Sequence, residues 1–183
     1  MKILLTGVNG QVGYYINQKL SPFYTVFGVT HQSFDLTNIE QMEKVIDEIK
    51  PDLIINSAAY TNVDHAEKEP DIVFKINSEG PKFLAIKSKK LNIPLIQFST
   101  DYIFDGLKKG AYIETDKAKP QSIYGKSKYD AEIFIQENNS KCIILRTSWV
   151  YSLRGKNFLT TILDMAKKKD GFRIVFDQIG APT

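Results

Sequence analysis

Tyr124 and Lys128 stand four residues apart, just after Pro120, and carry the chemistry this sequence offers most directly. On a helix, side chains at i and i+4 share one face, with Cβ atoms about 5–6 Å apart. A phenol titrates near ~10 and an ammonium near ~10.4. An ammonium beside a phenol stabilises the phenolate, which makes the tyrosine a better acid near neutrality. Such a phenol can hand a proton to a carbonyl oxygen while another group delivers hydride. The spacing alone fits equally a solvated lysine and a half-buried tyrosine on an ordinary helix. The surrounding elements decide between them.

The chain opens with the apolar run Lys2-Ile-Leu-Leu-Thr6, read as a buried strand. Gly7-Val-Asn-Gly10-Gln-Val-Gly13 follows at once, and Tyr14–Leu20 continues as a helix. A strand, a glycine-rich turn and a helix form the setting in which a dinucleotide diphosphate binds. The glycines permit close backbone approach, and the helix N-terminus offers free N–H groups. Tyr24–Val29 is the second expected strand. Thr30, His31, Gln32 and Ser33 follow it, with no carboxylate for a ribose 2′-hydroxyl and no arginine for a 2′-phosphate. Asp35 falls near the expected place of the acid, and also fits as a cap for a helix over Ile39–Ile49. The cofactor choice stays open between NADP(H) and NAD(H).

Further strands are expected at Leu53–Asn56, Ile93–Phe98, Cys142–Arg146 and Phe172–Phe176. Helices are expected over Asp71–Lys90, with a break at Pro81, over Tyr124–Glu137, and over Asn157–Lys169. Small residues after the third strand, Ser57-Ala58-Ala59, permit a ligand to approach. Ser99-Thr-Asp-Tyr-Ile-Phe-Asp-Gly106 leaves the fourth strand, where a hydroxyl can hold a carbonyl oxygen opposite Tyr124; local turn bonding explains the same residues. The alternation of strands and helices predicts an α/β fold, a Rossmann-type doubly wound parallel sheet. All 183 residues fall in one domain.

The composition narrows the function classes. The sequence is 43% hydrophobic and 25% charged, with a net charge of +3, which suits an ordinary globular core. Without a long basic run or an aromatic-studded basic stripe, a nucleic-acid partner is not expected. No apolar stretch reaches the length of a membrane span. The single cysteine, Cys142, rules out an internal disulfide and reads as a buried strand thiol. The two histidines, His31 and His65, lack companions at ligand spacing, so no metal site is expected. A soluble cytoplasmic protein is the resulting expectation.

Six blocks, in one order, resemble the extended short-chain dehydrogenase/reductases, and within them the dTDP-4-dehydrorhamnose reductases. They are Thr6–Gly13, Asn56–Asp64, Ser99–Gly106, Tyr124–Lys128, Arg146–Tyr151 and Asp177–Thr183. The resemblance implies NAD(P)H as cofactor. Gly7, Gly10, Gln11, Val12 and Gly13 would hold the diphosphate, Asp35 and Leu36 would meet the adenine end, and Ala58, Ala59 and Tyr60 would line the cofactor path. It further implies Thr100, Tyr124 and Lys128 as catalytic residues, with Tyr124 and Lys128 also touching the cofactor. Thr100, Asp101 and Trp149 would touch a dTDP-sugar substrate, whose 4-keto group is reduced to give dTDP-L-rhamnose.

Two positions depart from related patterns. Sugar-nucleotide dehydratases carry an Asp-Glu pair where this chain has Asp101 and Tyr102, so elimination lacks its base. Some members hold magnesium with a glutamate soon after the glycine turn, where this chain has Tyr14 and Tyr15. Members also continue for about another 100 residues, so the resemblance implies a chain lacking the C-terminal substrate region and able to bind cofactor better than it turns over substrate. The regulatory subunit of methionine adenosyltransferase keeps similar Tyr-x-x-x-Lys and Ser-Thr-Asp-Tyr blocks, a non-catalytic alternative; a related sugar-nucleotide epimerase or 4-ketoreductase is a further one. A homodimer is the default oligomer.

Overall fold

The structure, a computed structural model, describes residues 1–168, 171, 173–175 and 177–183. Five strands form one sheet: β1 Lys2–Thr6, β2 Thr25–Val29, β3 Leu53–Asn56, β4 Leu95–Thr100 and β5 Cys142–Thr147. They lie in the order β2-β1-β3-β4-β5, and every pairing is parallel. The helices are α1 Gln11–Leu20, α2 Ile39–Ile49, α3 Val63–Ala66, α4 Pro70–Phe74, α5 Gly80–Lys90, α6 Ile123–Asn138 and α7 Phe158–Lys168.

Alternation along the strands builds two cores. Leu4, Ile54 and Leu95 face one side with Met42 and Ile46 of α2, Leu84 and Ala85 of α5, and Ala131 and Ile135 of α6. Ile3, Leu5 and Ile55 face the other, packed by Ile16 and Leu20 of α1. Strands covered on both faces need apolar residues at consecutive positions, which is why Ile3-Leu4-Leu5 and Ile54-Ile55 read as continuous runs. The doubly wound parallel sheet expected from the sequence is the fold observed.

Several boundaries move. α1 begins at Gln11, directly after the glycine turn, three residues before its expected start. β4 runs on to Thr100, so the Ser99-Thr100 pair belongs to the strand itself. The helix expected over Asp71–Lys90, with a break at Pro81, instead runs on through Pro81 without a gap in helical backbone. A π-helical turn, Lys75–Glu79, joins α4 to α5, and Pro81 sits in the first turn of α5, where its missing N–H costs nothing. The cap of α2 is Asn38, whose side chain accepts from Gln41 N–H; Asp35 instead accepts from the N–H and hydroxyl of Thr37. Of the strand expected over Phe172–Phe176, residues 173–175 carry no regular structure, and Phe172 and Phe176 lie outside the described residues, as does Lys169 of the expected final helix.

Candidate active site

β1 neighbours β2 on one side and β3 on the other, and the chain leaves β1 and β3 in opposite directions around the sheet. Such a switch point opens a crevice at the carboxyl ends of the strands. The lips are the Gly7 turn and the Ala58–Tyr60 segment. Gly7 has φ +68°, and a Cβ on it would stand 3.0 Å from the nitrogen and Cα of Ala58. On Gly13 a Cβ would lie 2.8 Å from the Gly7 carbonyl carbon and 2.9 Å from Ser57 Oγ, so its hydrogen lets α1 seat against the turn. Gly10 is the N-cap of α1, which therefore has no side-chain cap, and no acidic residue lies in its first turn. Its first N–H groups and the positive end of its dipole are left for an anion. The cleft has a volume of about 1580 Å³.

The far end of the cleft is built by β4 and α6. Ser122 caps α6 by accepting from Gly125 N–H at 3.0 Å, and the Glu67 carboxylate accepts from Ile123 N–H at 2.7 Å. This fixes the first turn, and with it Tyr124. Lys128, one turn on, is 3% exposed. Its Nζ donates to the Phe98 carbonyl of β4 at 2.6 Å. Burial pulls its pKa down to about 8, against the attraction of Glu132. Burial pushes the Tyr124 phenol above its ordinary value; the Thr100 hydroxyl beside it pulls the other way, and Asp101 and Tyr102 add to the rise. On sequence spacing alone, Lys128 is expected to acidify Tyr124. In this structure the ammonium turns to the Phe98 carbonyl instead, and desolvation governs the phenol.

Asp101 links two strand ends. Its Oδ1 accepts from Thr100 Oγ1 at 3.2 Å and its Oδ2 from Ser148 Oγ at 2.8 Å. Tyr102, at the position where dehydratases carry glutamate, packs edge-on against Tyr124 with ring centroids 5.7 Å apart. Trp149 follows β5 with φ 48°, a left-handed backbone that costs a bulky residue about 1–2 kcal/mol.

Gly7, Gly10, Gln11, Val12, Asp35, Leu36, Ala58, Ala59 and Tyr60 all line the one cleft, together with Thr100, Asp101, Tyr124, Lys128 and Trp149. Gly13 lies behind the turn and does not. Several supporting residues escape a reading of the sequence. Asn77, carried inward by the π-helical turn, accepts from Tyr60 N–H at 2.8 Å and donates to the Tyr60 carbonyl at 3.0 Å and to Ser127 Oγ at 3.2 Å. It thereby ties the cleft lip to α6. Glu132, 1% exposed, is gripped by Arg146 Nη2 at 2.7 Å and Nε at 3.1 Å. Asn157 Nδ2 donates to Gln11 Oε1 at 2.9 Å, bringing the segment before α7 over the glycine turn. An asparagine interrupting an otherwise good helix was the one available signal, for Asn77.

Comparison with known proteins agrees with this geometry. The family model described as the RmlD substrate binding domain matches residues 1–183. A dTDP-4-dehydrorhamnose reductase from Burkholderia thailandensis is 41% identical over 183 residues, covering 100% of this chain and 61% of that protein. A crystal structure of a dTDP-4-dehydrorhamnose reductase from Clostridium acetobutylicum superposes with a TM-score of 0.96 at 42% identity, over 100% of this chain and 65% of that one. The reductase of the same name from Bacillus anthracis, in complex with NADP, gives a TM-score of 0.95 at 40% identity, again over 100% and 65%. This chain thus spans about three-fifths of the length of the curated relatives it matches. Matched by the family model from residue 1 to residue 183, the chain belongs to the RmlD substrate binding domain family.

Proposed function

We propose that this chain forms the NAD(P)H-binding domain of a reductase that converts the 4-keto group of dTDP-4-dehydro-L-rhamnose to the alcohol of dTDP-L-rhamnose. One observation carries the reading: Thr100, Tyr124 and Lys128 meet at one end of a cleft whose other end is an uncapped helix start on a glycine turn. The relatives named above support the substrate and favour reduction over the regulatory alternative.

The residues present fit a dinucleotide. The Gly7–Gly10 turn and the open N–H groups of α1 suit a diphosphate. Ser99 Oγ, in the cleft wall, is buried with no hydrogen-bond partner among the described residues. The Lys128 ammonium has three N–H donors and among the described residues its one acceptor is the Phe98 carbonyl, which leaves donors for ribose hydroxyls. When bound, the cofactor supplies the hydride to C4 of the sugar.

Tyr124, kept protonated by its burial, holds the proton that the C4 oxygen needs as hydride arrives. Thr100, beside the phenol, turns its one hydroxyl proton from Asp101 to that oxygen and so orients the ketone. Ketone, hydride and proton sum to the alcohol, and the phenolate left on Tyr124 is reprotonated from solvent. Asp101 and Trp149 flank the sugar at the mouth. No base is required, in keeping with Tyr102 at the dehydratase glutamate position. The test is NADPH consumption with dTDP-4-dehydro-L-rhamnose by the whole protein, alongside NADPH titration. Tyr124→Phe should cut turnover by ~10²–10⁴ with cofactor affinity little changed. Turnover equal to the parent's would refute the assignment of the acid.

A further inference from the structure

Trp149 is the single tryptophan of the chain and stands at the cleft mouth in a left-handed backbone conformation, φ 48°. A bulky residue persists there only where its neighbours over-determine it. Here they do so from three directions. Ser148 Oγ donates to Asp101 Oδ2 at 2.8 Å, pinning the residue before the turn to the end of β4. The backbone N–H groups of Ser148 and Tyr151 donate to Oγ1 and the carbonyl of Thr183, at 3.2 and 3.3 Å, bracketing Trp149 on both sides. Gly180 lies against the indole, where a Cβ would stand 2.7 Å from Cε2. The other Asp101 oxygen accepts from Thr100, the residue beside the Tyr124 phenol. Polar contacts therefore run from the proposed acid through Thr100 and Asp101 to Ser148, whose backbone sets the aim of the indole.

We propose that Ser148 is a positioning residue: its bond to Asp101 holds Trp149 in the strained turn, so that the indole walls the pyranose ring of the sugar nucleotide. The substrate half of this inference rests on the proposed function; the positioning half does not. The Ser148 hydroxyl gives Asp101 a charge-assisted bond, the strong kind, and the same residue opens the strained turn. Losing that bond removes one of the three restraints, the one that ties the turn to the end of β4, so the turn relaxes toward an ordinary backbone and the indole loses its aim at the sugar. The cofactor end of the cleft, at the Gly7 turn, is untouched.

Because the chain has one tryptophan, its fluorescence reports this residue alone. The experiment compares the parent, Ser148→Ala and Ser148→Thr. It records tryptophan emission, acrylamide quenching, and titrations with NADPH and with dTDP-L-rhamnose. Ser148→Ala should shift the emission, raise quenching and weaken dTDP-L-rhamnose binding about tenfold, the scale of one lost charge-assisted hydrogen bond. NADPH affinity should hold. Ser148→Thr, which keeps the hydroxyl, should restore both. Emission and quenching unchanged in Ser148→Ala would overturn the proposal, and so would a Thr variant that fails to restore them. If tryptophan responds as expected while the parent binds no dTDP-L-rhamnose, the positioning role is supported and the substrate reading falls.

Discussion

Replacing Lys128 with Met tests whether the cleft holds a cation at the expense of the fold. Lys128 is 3% exposed, and burial takes its pKa from 10.5 to about 8. At about 1.4 kcal/mol per pH unit, this corresponds to about 3 kcal/mol against the folded state when the ammonium is charged. Below pH 8 both folded and unfolded chains hold the proton, and the full cost is present. Between about pH 8 and 10.5 the folded chain has released it while the unfolded chain keeps it, so the cost fades and stability rises with pH. Methionine keeps a similar stem without the charge. It gives up the bond to the Phe98 carbonyl, worth about 1 kcal/mol. Lys128→Met should therefore be more stable than the parent by about 2 kcal/mol at pH 7, with the advantage disappearing by about pH 10. Urea unfolding of both proteins from pH 7 to pH 10 measures this, and the difference at each pH cancels the other titrating groups. A Met variant less stable than the parent at pH 7, or a difference flat with pH, would refute the reasoning. The same variant should lose NADPH affinity, since a site that needs a buried cation trades stability for function.

Other expectations follow from the packing around the cleft. Gly13→Ala places a methyl 2.8 Å from the Gly7 carbonyl carbon; overpacking of this kind costs about 1–3 kcal/mol, so the melting temperature and NADPH affinity should fall together in thermal scans and titrations. Arg146→Ala strands Glu132, 1% exposed, as an unpaired buried charge; denaturant unfolding at pH 7 should show a loss of about 3–5 kcal/mol, and Glu132→Gln in the same background should recover part of it. Asn77→Ala removes two bonds to the Tyr60 backbone and one to Ser127; it should cost about 2 kcal/mol or more, and steady-state kinetics should show a higher KM for NADPH with a smaller change in kcat.

Much of this molecule is legible in its residues, because periodicity and local steric demand are local properties. Ile3-Leu4-Leu5 and Ile54-Ile55 declare strands covered on both faces. Glycines at 7, 10 and 13, spanning a turn and the first residues of the helix after it, declare a junction that few other residues can make, and the spacing of Tyr124 and Lys128 places both on one stretch of helix. Tertiary structure decided what those groups experience. Lys128 lies four residues from Tyr124 in the chain, yet its ammonium bonds a strand carbonyl thirty residues away, and depth of burial governs both their pKa values. Asn77, buried in a π-helical turn, meets the Tyr60 backbone seventeen residues away, and Ser148 meets Asp101 only because β4 and β5 are neighbours in the sheet. Desolvation and long-range hydrogen bonds depend on which distant segments pack together. A linear pattern names the chemical groups; only the folded arrangement sets their charge, their aim and their partners.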